Sequence, residues 1–273
     1  MKLLIVADIE GIAGVSTALQ CTPGNSEYEK ARQLMSEEVN AVVRGATAAG
    51  AIEIVVVDSH GPMTNLQPDS LEVSVRLLSG KPRQLGMIEG IQSADFHGVM
   101  MIGAHSAAGQ YGVLAHTINS RAFLKIEVNG QVMGEVDLYG GIAAEYGVPM
   151  MLVSGDHYLK DSVARAFPES GFVEVKQARG QFAANSVSPE QARAELFSAA
   201  RDRMDGGISA HTPYQLTAPY ELRVSTLTQG QSDLFSLVPG VERLGPNQVG
   251  WQCSCFTDMV QWLNSLSAMS RAL

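Results

Sequence analysis

Cysteine is scarce, with only Cys21, Cys253 and Cys255 in 273 residues. An odd, scattered set is no disulfide framework, and Cys253-Ser254-Cys255 alone offers too few thiolates for a structural zinc site. Positive charge is also short, with 19 Lys+Arg against 28 Asp+Glu and a formal net charge of −9. Such a chain has no field to hold a phosphate backbone or an anionic membrane surface, which excludes nucleic acid and membrane as partners. Long hydrophobic runs are missing too, since charge cuts every apolar stretch short of the roughly 20 residues that span a hydrocarbon core. Asp8 and Glu10 interrupt the apolar start before a secretory h-region is complete, so a cytoplasmic, reducing location is expected. Also absent are G-x-G-x-x-G, the P-loop, G-x-S-x-G and H-E-x-x-H. What the chain has is apolar material: 45% of it is hydrophobic, enough for a sizeable core and too much for a disordered or collagen-like chain.

That material is arranged as strands and helices in alternation. Residues 3–7, 53–57, 98–103 and 150–153 are short apolar runs, the pattern of strands buried on both faces of a parallel sheet. Ser26-Glu27-Tyr28-Glu29 has capping-box spacing and opens a helical pattern that Gly50 stops. Asn129-Gly130, flanked by alternating residues, predicts a hairpin, and residues 137–146 read as helical. After about residue 175 the texture changes. A helix follows Ser188-Pro189 to about Met204, then a turn-rich stretch from Gly206 to Pro219. Residues 220–226 and 249–255 alternate with period 2, and a last amphipathic helix starts near Thr257. The expected fold is α/β, a mostly parallel sheet flanked by helices with a smaller C-terminal α+β portion. The expected division is 1–175, a metal-binding catalytic domain, and 176–273, a smaller domain.

Polar residues at the ends of these runs carry the functional signal, because ligands of open parallel sheets bind at the carboxyl ends of the strands. The first run ends Asp8-Ile9-Glu10-Gly11, the second Asp58-Ser59-His60-Gly61 and the third Gly103-Ala104-His105. Residues i and i+2 share a face of an extended chain, so Asp8 can converge with Glu10 and Asp58 with His60. Glu135 follows the hairpin, and His116 lies in a glycine-containing loop that can fold back toward His105. Carboxylates and imidazoles together suit zinc and related divalent ions, and four or more suggest two metals. Two cations roughly 3.5–4 Å apart need a bridging carboxylate, and Asp8, at the centre of the edge, is the candidate. Asp58 and Ser59 are equally explained as caps after a strand. Asp156-His157 ends the fourth run as a rival pair or substrate contact, while His97 and His211 lack acidic company.

At these residues the chain resembles the zinc-dependent D-aminopeptidases of peptidase family M55. The shared motifs are Asp8-Ile9-Glu10-Gly11-Ile12, Asn40, Val57-Asp58-Ser59-His60-Gly61, Gly103-Ala104-His105, Ala115-His116 and Gly134-Glu135. They cover about the first 160 residues, with Pro239-Gly240-Val241-Glu242 a thinner echo beyond. The resemblance implies two zinc ions per subunit, with Asp8 bridging and Glu10, His60, His105 and Glu135 completing the shells. It implies His116 as the catalytic residue, a homodecamer of two stacked five-membered rings, and cleavage of N-terminal D-amino acids from short peptides. His157 departs from the family pattern, which has an acid there. Two other functions suit the same residues: a dinuclear phosphoesterase, and a non-catalytic metal-stabilised ring that binds peptides. The first lacks an Arg or Lys beside the motifs to hold a phosphoryl group.

Overall fold

The computed structural model describes residues 1–93, 95–205 and 217–273, so His211 and most of the turn-rich stretch lie outside the described residues. The strands are β1 (Lys2–Ala7), β2 (Glu53–Asp58), β3 (Val75–Leu78), β4 (Gly98–Ile102), β5 (Phe123–Val128), β6 (Gln131–Val132), β7 (Met150–Asp156), β8 (Gly171–Gly180), β9 (Ala183–Ser186), β10 (Tyr220–Thr226), β11 (Glu242–Gly245) and β12 (Gln248–Cys253). The helices are α1 (Ser26–Ala48), α2 (Glu135–Glu145), α3 (His157–Ala166), α4 (Pro189–Asp205), α5 (Gln229–Phe235) and α6 (Phe256–Met269).

The apolar runs become the centre of a seven-stranded sheet in the order β3-β2-β1-β4-β7-β8-β9. All its pairs are parallel except β8–β9. Ala7 lies opposite Asp58 on one side and Ile102 on the other, so three strands end level and their following residues share one edge. The chain leaves β1 toward β2 and later returns to its other side at β4, which opens a crevice between the loops at that switch point. One face of the sheet packs Leu3, Ile5 and Val56 against Met35, Val39 and Val42 of α1 and Leu196 and Ala200 of α4. Gly45 lets the two helices touch, because a Cβ there would meet Phe197 O at 2.3 Å. The other face packs Leu4, Val6 and Met101 against α2, α3, α6 and a second, antiparallel sheet, β11-β12-β10-β5-β6.

The expected α/β architecture is therefore present, with differences in detail. Asn25 caps α1 in place of Ser26, its Oδ1 accepting from the Glu27 and Tyr28 amides. Asn129 and Gly130 both take left-handed φ, 51° and 78°, as a tight two-residue hairpin requires. The four-residue edge strand β3 and the short α5 were not anticipated, being too short to show a period. The two expected portions interleave: residue 175 lies inside β8, and the antiparallel sheet takes β5 and β6 from the first portion and β10 to β12 from the second. Among the described residues no helix is long and apolar enough to cross a membrane.

Candidate metal centre

The loop after β1 carries Asp8 and Glu10 inward, both 5% exposed. His60, on the loop after β2, meets them: its Nδ1 lies 2.9 Å from Glu10 Oε2 and 3.4 Å from Asp8 Oδ1. Its Nε2 lies 2.7 Å from the Cys21 carbonyl. A carbonyl only accepts, so Nε2 carries a proton and Nδ1 faces the carboxylates. Burial opposes charge on this ring, yet Glu10 and Asp8 outweigh it and hold the His60 pKa well above the ordinary histidine value.

His105, on the loop after β4, forms the other half with Glu135, the first residue of α2. The His105 Nδ1–H donates to the Ser106 carbonyl, 3.1 Å away. Its Nε2 points between Asp8 Oδ2 at 3.5 Å and Glu135 Oε2 at 3.6 Å. Burial again opposes the charged ring, and the Glu135 and Asp8 carboxylates override it, raising the His105 pKa well above its ordinary value. Conversely, burial would raise the Asp8 pKa, but the His105 and His60 imidazoles beside it hold it well below the usual carboxylate range. Glu135 Oε1 accepts from the Ile118 amide at 2.5 Å. The 105–118 loop does fold back, stacking His116 on His105 with ring centroids 4.1 Å apart and planes within 9°. The His116 Nδ1–H donates to Leu114 O at 2.9 Å, leaving Nε2 free, 4.0 Å from Glu135 Oε1.

The loops can crowd this closely because two glycines remove side chains where backbones cross. A Cβ at Gly11 would sit 2.0 Å from Ala104 O, and one at Gly103, whose φ is +75°, would sit 2.1 Å from Asp8 O. Val6, Met87, Met101 and Val136 form an apolar wall behind Asp8, His105 and Glu135. Low-dielectric surroundings strengthen every charge interaction inside. The donors fit a divalent cation. His105 Nε2 is buried with no hydrogen-bond partner although two carboxylates face it. Potential ligand atoms of Asp8, Glu10 and His105 lie within 4.8 Å of one another, as do those of His105, His116 and Glu135. His116 thus lies beside the His105–Glu135 pair, where the expected fold-back of its loop toward His105 brings it.

Asp58 does not converge with His60. Its carboxylate turns back to the Asn65 amide (2.5 Å), Asn65 Nδ2 (2.7 Å) and the Leu66 amide (2.6 Å), bracing the loop that carries His60. Ser59 Oγ donates to Ala7 O, and Asn40 pins the 70–72 segment through Ser70 O and the Glu72 amide. Asp156 caps α3 with Oδ1 and takes the Val113 amide with Oδ2 at 2.6 Å, so it anchors the His116 loop. His157 accepts from the Ala178 amide, and His97 from the Lys2 amide; both bonds are structural. Sequence reasoning missed Lys176, whose buried ammonium binds Glu10 O, Ile12 O and Val15 O. It also missed Glu38, whose Oε1 accepts from the Ala13 amide. Both are charged residues at buried positions of β8 and α1.

A parallel sheet with buried carboxylates and imidazoles gathered at its carboxyl edge has the donors of a metal-dependent hydrolase. The chain belongs to the M55 peptidase family, whose model, described as D-aminopeptidase, matches residues 1–265. A D-aminopeptidase of Bacillus subtilis (strain 168) is 29% identical over 275 residues, covering 99% of this chain and 97% of its own. Among solved structures, the Zn-dependent D-aminopeptidase DppA from Bacillus subtilis, described as a self-compartmentalizing protease, superposes with a TM-score of 0.94. It is 26% identical and covers 100% of this chain and 99% of its own.

Proposed function

We propose that this chain is a dinuclear zinc D-aminopeptidase that releases N-terminal D-amino acids, D-alanine first among them, from short peptides. The observation that carries the reading is the double use of Asp8. Its Oδ1 faces His60, beside Glu10, and its Oδ2 faces His105, beside Glu135. One carboxylate shared between two acid–imidazole pairs supports a bridging role, with Glu10 and His60 completing one coordination shell and His105 and Glu135 the other. Zinc, when bound, supplies Lewis acidity that polarises a scissile carbonyl and brings the pKa of a water to roughly 7.

The protein's own groups supply the rest. The Cys21 and Ser106 carbonyls fix the tautomers of His60 and His105, presenting an inward lone pair from each ring once a cation replaces the proton. The Leu114 carbonyl does the same for His116, whose free Nε2 can take a proton and deliver it to the leaving amine. Buried negative charge on a chain of net −9 attracts the cationic α-amino group of a peptide. A phosphoesterase would need an open cation, whereas Lys176, Arg83 and Arg32, which reach these loops, bind backbone carbonyls instead. The description of DppA as self-compartmentalizing supports a ring-forming homo-oligomer, a decamer by family resemblance, working in the cytoplasm on peptides small enough to enter.

The test is hydrolysis of D-Ala-D-Ala and L-Ala-L-Ala with zinc and after chelation. Metal-dependent release of alanine from the D-dipeptide alone is the expected result. No release from either dipeptide by protein carrying two zinc ions would overturn the peptidase reading and leave the non-catalytic ring.

A further inference from the structure

The loop from Asp8 to Val15 leaves β1 with no strand to pair with, so its backbone groups must find partners elsewhere. Three of its carbonyls converge on one atom. Lys176 Nζ lies 2.5 Å from Glu10 O, 2.9 Å from Ile12 O and 2.6 Å from Val15 O, on a residue 2% exposed. An ammonium has three donors, and all three are used here. Lys176 reaches this place through a bulge. In the β7–β8 register Gly155 faces Glu174 and Asp156 faces Lys176, so Val175 is the extra residue. Strict alternation would put Lys176 on the same side as the half-buried Glu174; the bulge turns it inward. Its cross-strand partner Ser186 receives the Gly14 amide at 2.9 Å, and Glu38 Oε1 receives the Ala13 amide at 2.8 Å.

We infer that Lys176 is a positioning residue for the Glu10–His60 half of the metal centre, its buried ammonium fixing the backbone from which Glu10 projects. The inference rests on the metal-centre reading above. A buried charge held only for stability could sit anywhere in the core. This one grips the ligand-bearing loop at the Glu10 carbonyl itself, on an element that a bulge has re-aimed for the purpose. Its ammonium bonds only carbonyls of the 8–15 loop among the contacts described, and its link to the other half is limited to Asp156, opposite it on β7.

The experiment is a zinc titration of the full-length protein by competition with a chromophoric chelator, with melting of the metal-free protein recorded alongside. Wild type is compared with Lys176→Met, which keeps the stem, and Lys176→Gln, which keeps a donor. The expected result is one of the two zinc ions bound roughly 10–100-fold more weakly in both variants, the loss typical of removing an outer-shell support. Lower melting temperatures with unchanged zinc affinity of the folded protein would overturn the inference and leave Lys176 merely structural. Should neither variant fold, wild type carrying ¹⁵N-labelled lysine decides the matter. Coupling is reciprocal, so zinc should slow hydrogen exchange of the Lys176 ammonium by about tenfold. Exchange indifferent to zinc would overturn it. Wild type that takes up no zinc would remove the metal-centre reading as well, whereas zinc-binding variants indistinguishable from wild type remove Lys176 alone.

Discussion

The two halves of the centre are built by different means. The 8–15 loop is held from outside: Lys176 on β8, Ser186 on β9 and Glu38 on α1 each reach in to satisfy its backbone. The 105–118 loop is held partly by itself. The His116 amide donates to Ser106 O and the Ala108 amide to Thr117 Oγ1, while Leu114 and Ile118 take left-handed φ of 55° and 60°. Non-glycine residues in that region cost roughly 1–3 kcal/mol each, and such strain gathers where geometry matters to function. Its external anchors are Asp156 at the Val113 amide, the Gln181 carbonyl at the Leu114 amide and Glu135 at the Ile118 amide. The first loop thus presents acids on an imported polar scaffold, and the second presents His116 on a strained, self-closed turn. The difference predicts that damage to one half can be separated from damage to the other.

The largest effect should come where that separation fails. Asp8→Asn removes charge shared by both halves, so near-complete loss of hydrolysis and weakened binding of both zinc ions are expected in a metal-uptake assay. His116→Ala follows, lowering kcat by roughly 10²–10⁴, the usual contribution of proton transfer, with zinc content unchanged by metal analysis. Gly11→Ala drives a Cβ onto the Ala104 carbonyl where the two loops cross. It should cost at least the upper part of the roughly 1–3 kcal/mol typical of overpacking, measured by denaturant unfolding. Asp156→Asn withdraws charge from the Val113 amide, which anchors the His116 loop, and from the cap of α3. A fall in kcat of about tenfold, equivalent to roughly 1.4 kcal/mol, is expected without change in the Glu10–His60 half. The smallest effect belongs to Glu38, which burial raises to about 7 from 4.5. A raised acid pKa means the folded state holds its proton longer, so stability falls as pH rises from about 4.5 to about 7. Glu38→Gln should flatten that fall, seen as a melting-temperature gain over wild type that is larger at pH 8 than at pH 5.

Much of this arrangement is legible in the sequence. β1, β2 and β4 are apolar runs closed by polar residues, and in a parallel sheet that places Asp8, Glu10, His60, His105 and their loops on one edge. Asn129-Gly130 announced its hairpin through the only backbone such a turn accepts. The supports were not legible. Lys176 occupies what alternation makes a half-exposed position, and only a bulge against β7 turns it inward. Asp58 has the spacing of a converging carboxylate, but Asn65 and Leu66 offer three donors on its other side and win. β3 and β9 are edge strands of four residues that need a partner strand to exist at all. In each case the deciding contact was made with another segment, near or far, that no local pattern encodes.

The account stands most directly on Asp8 joining two cations. Crystals grown with zinc and measured at the zinc absorption edge should give two anomalous peaks per chain, roughly 3.5–4 Å apart, one on each side of the Asp8 carboxylate. A single peak, or two peaks with Asp8 outside both shells, would contradict it.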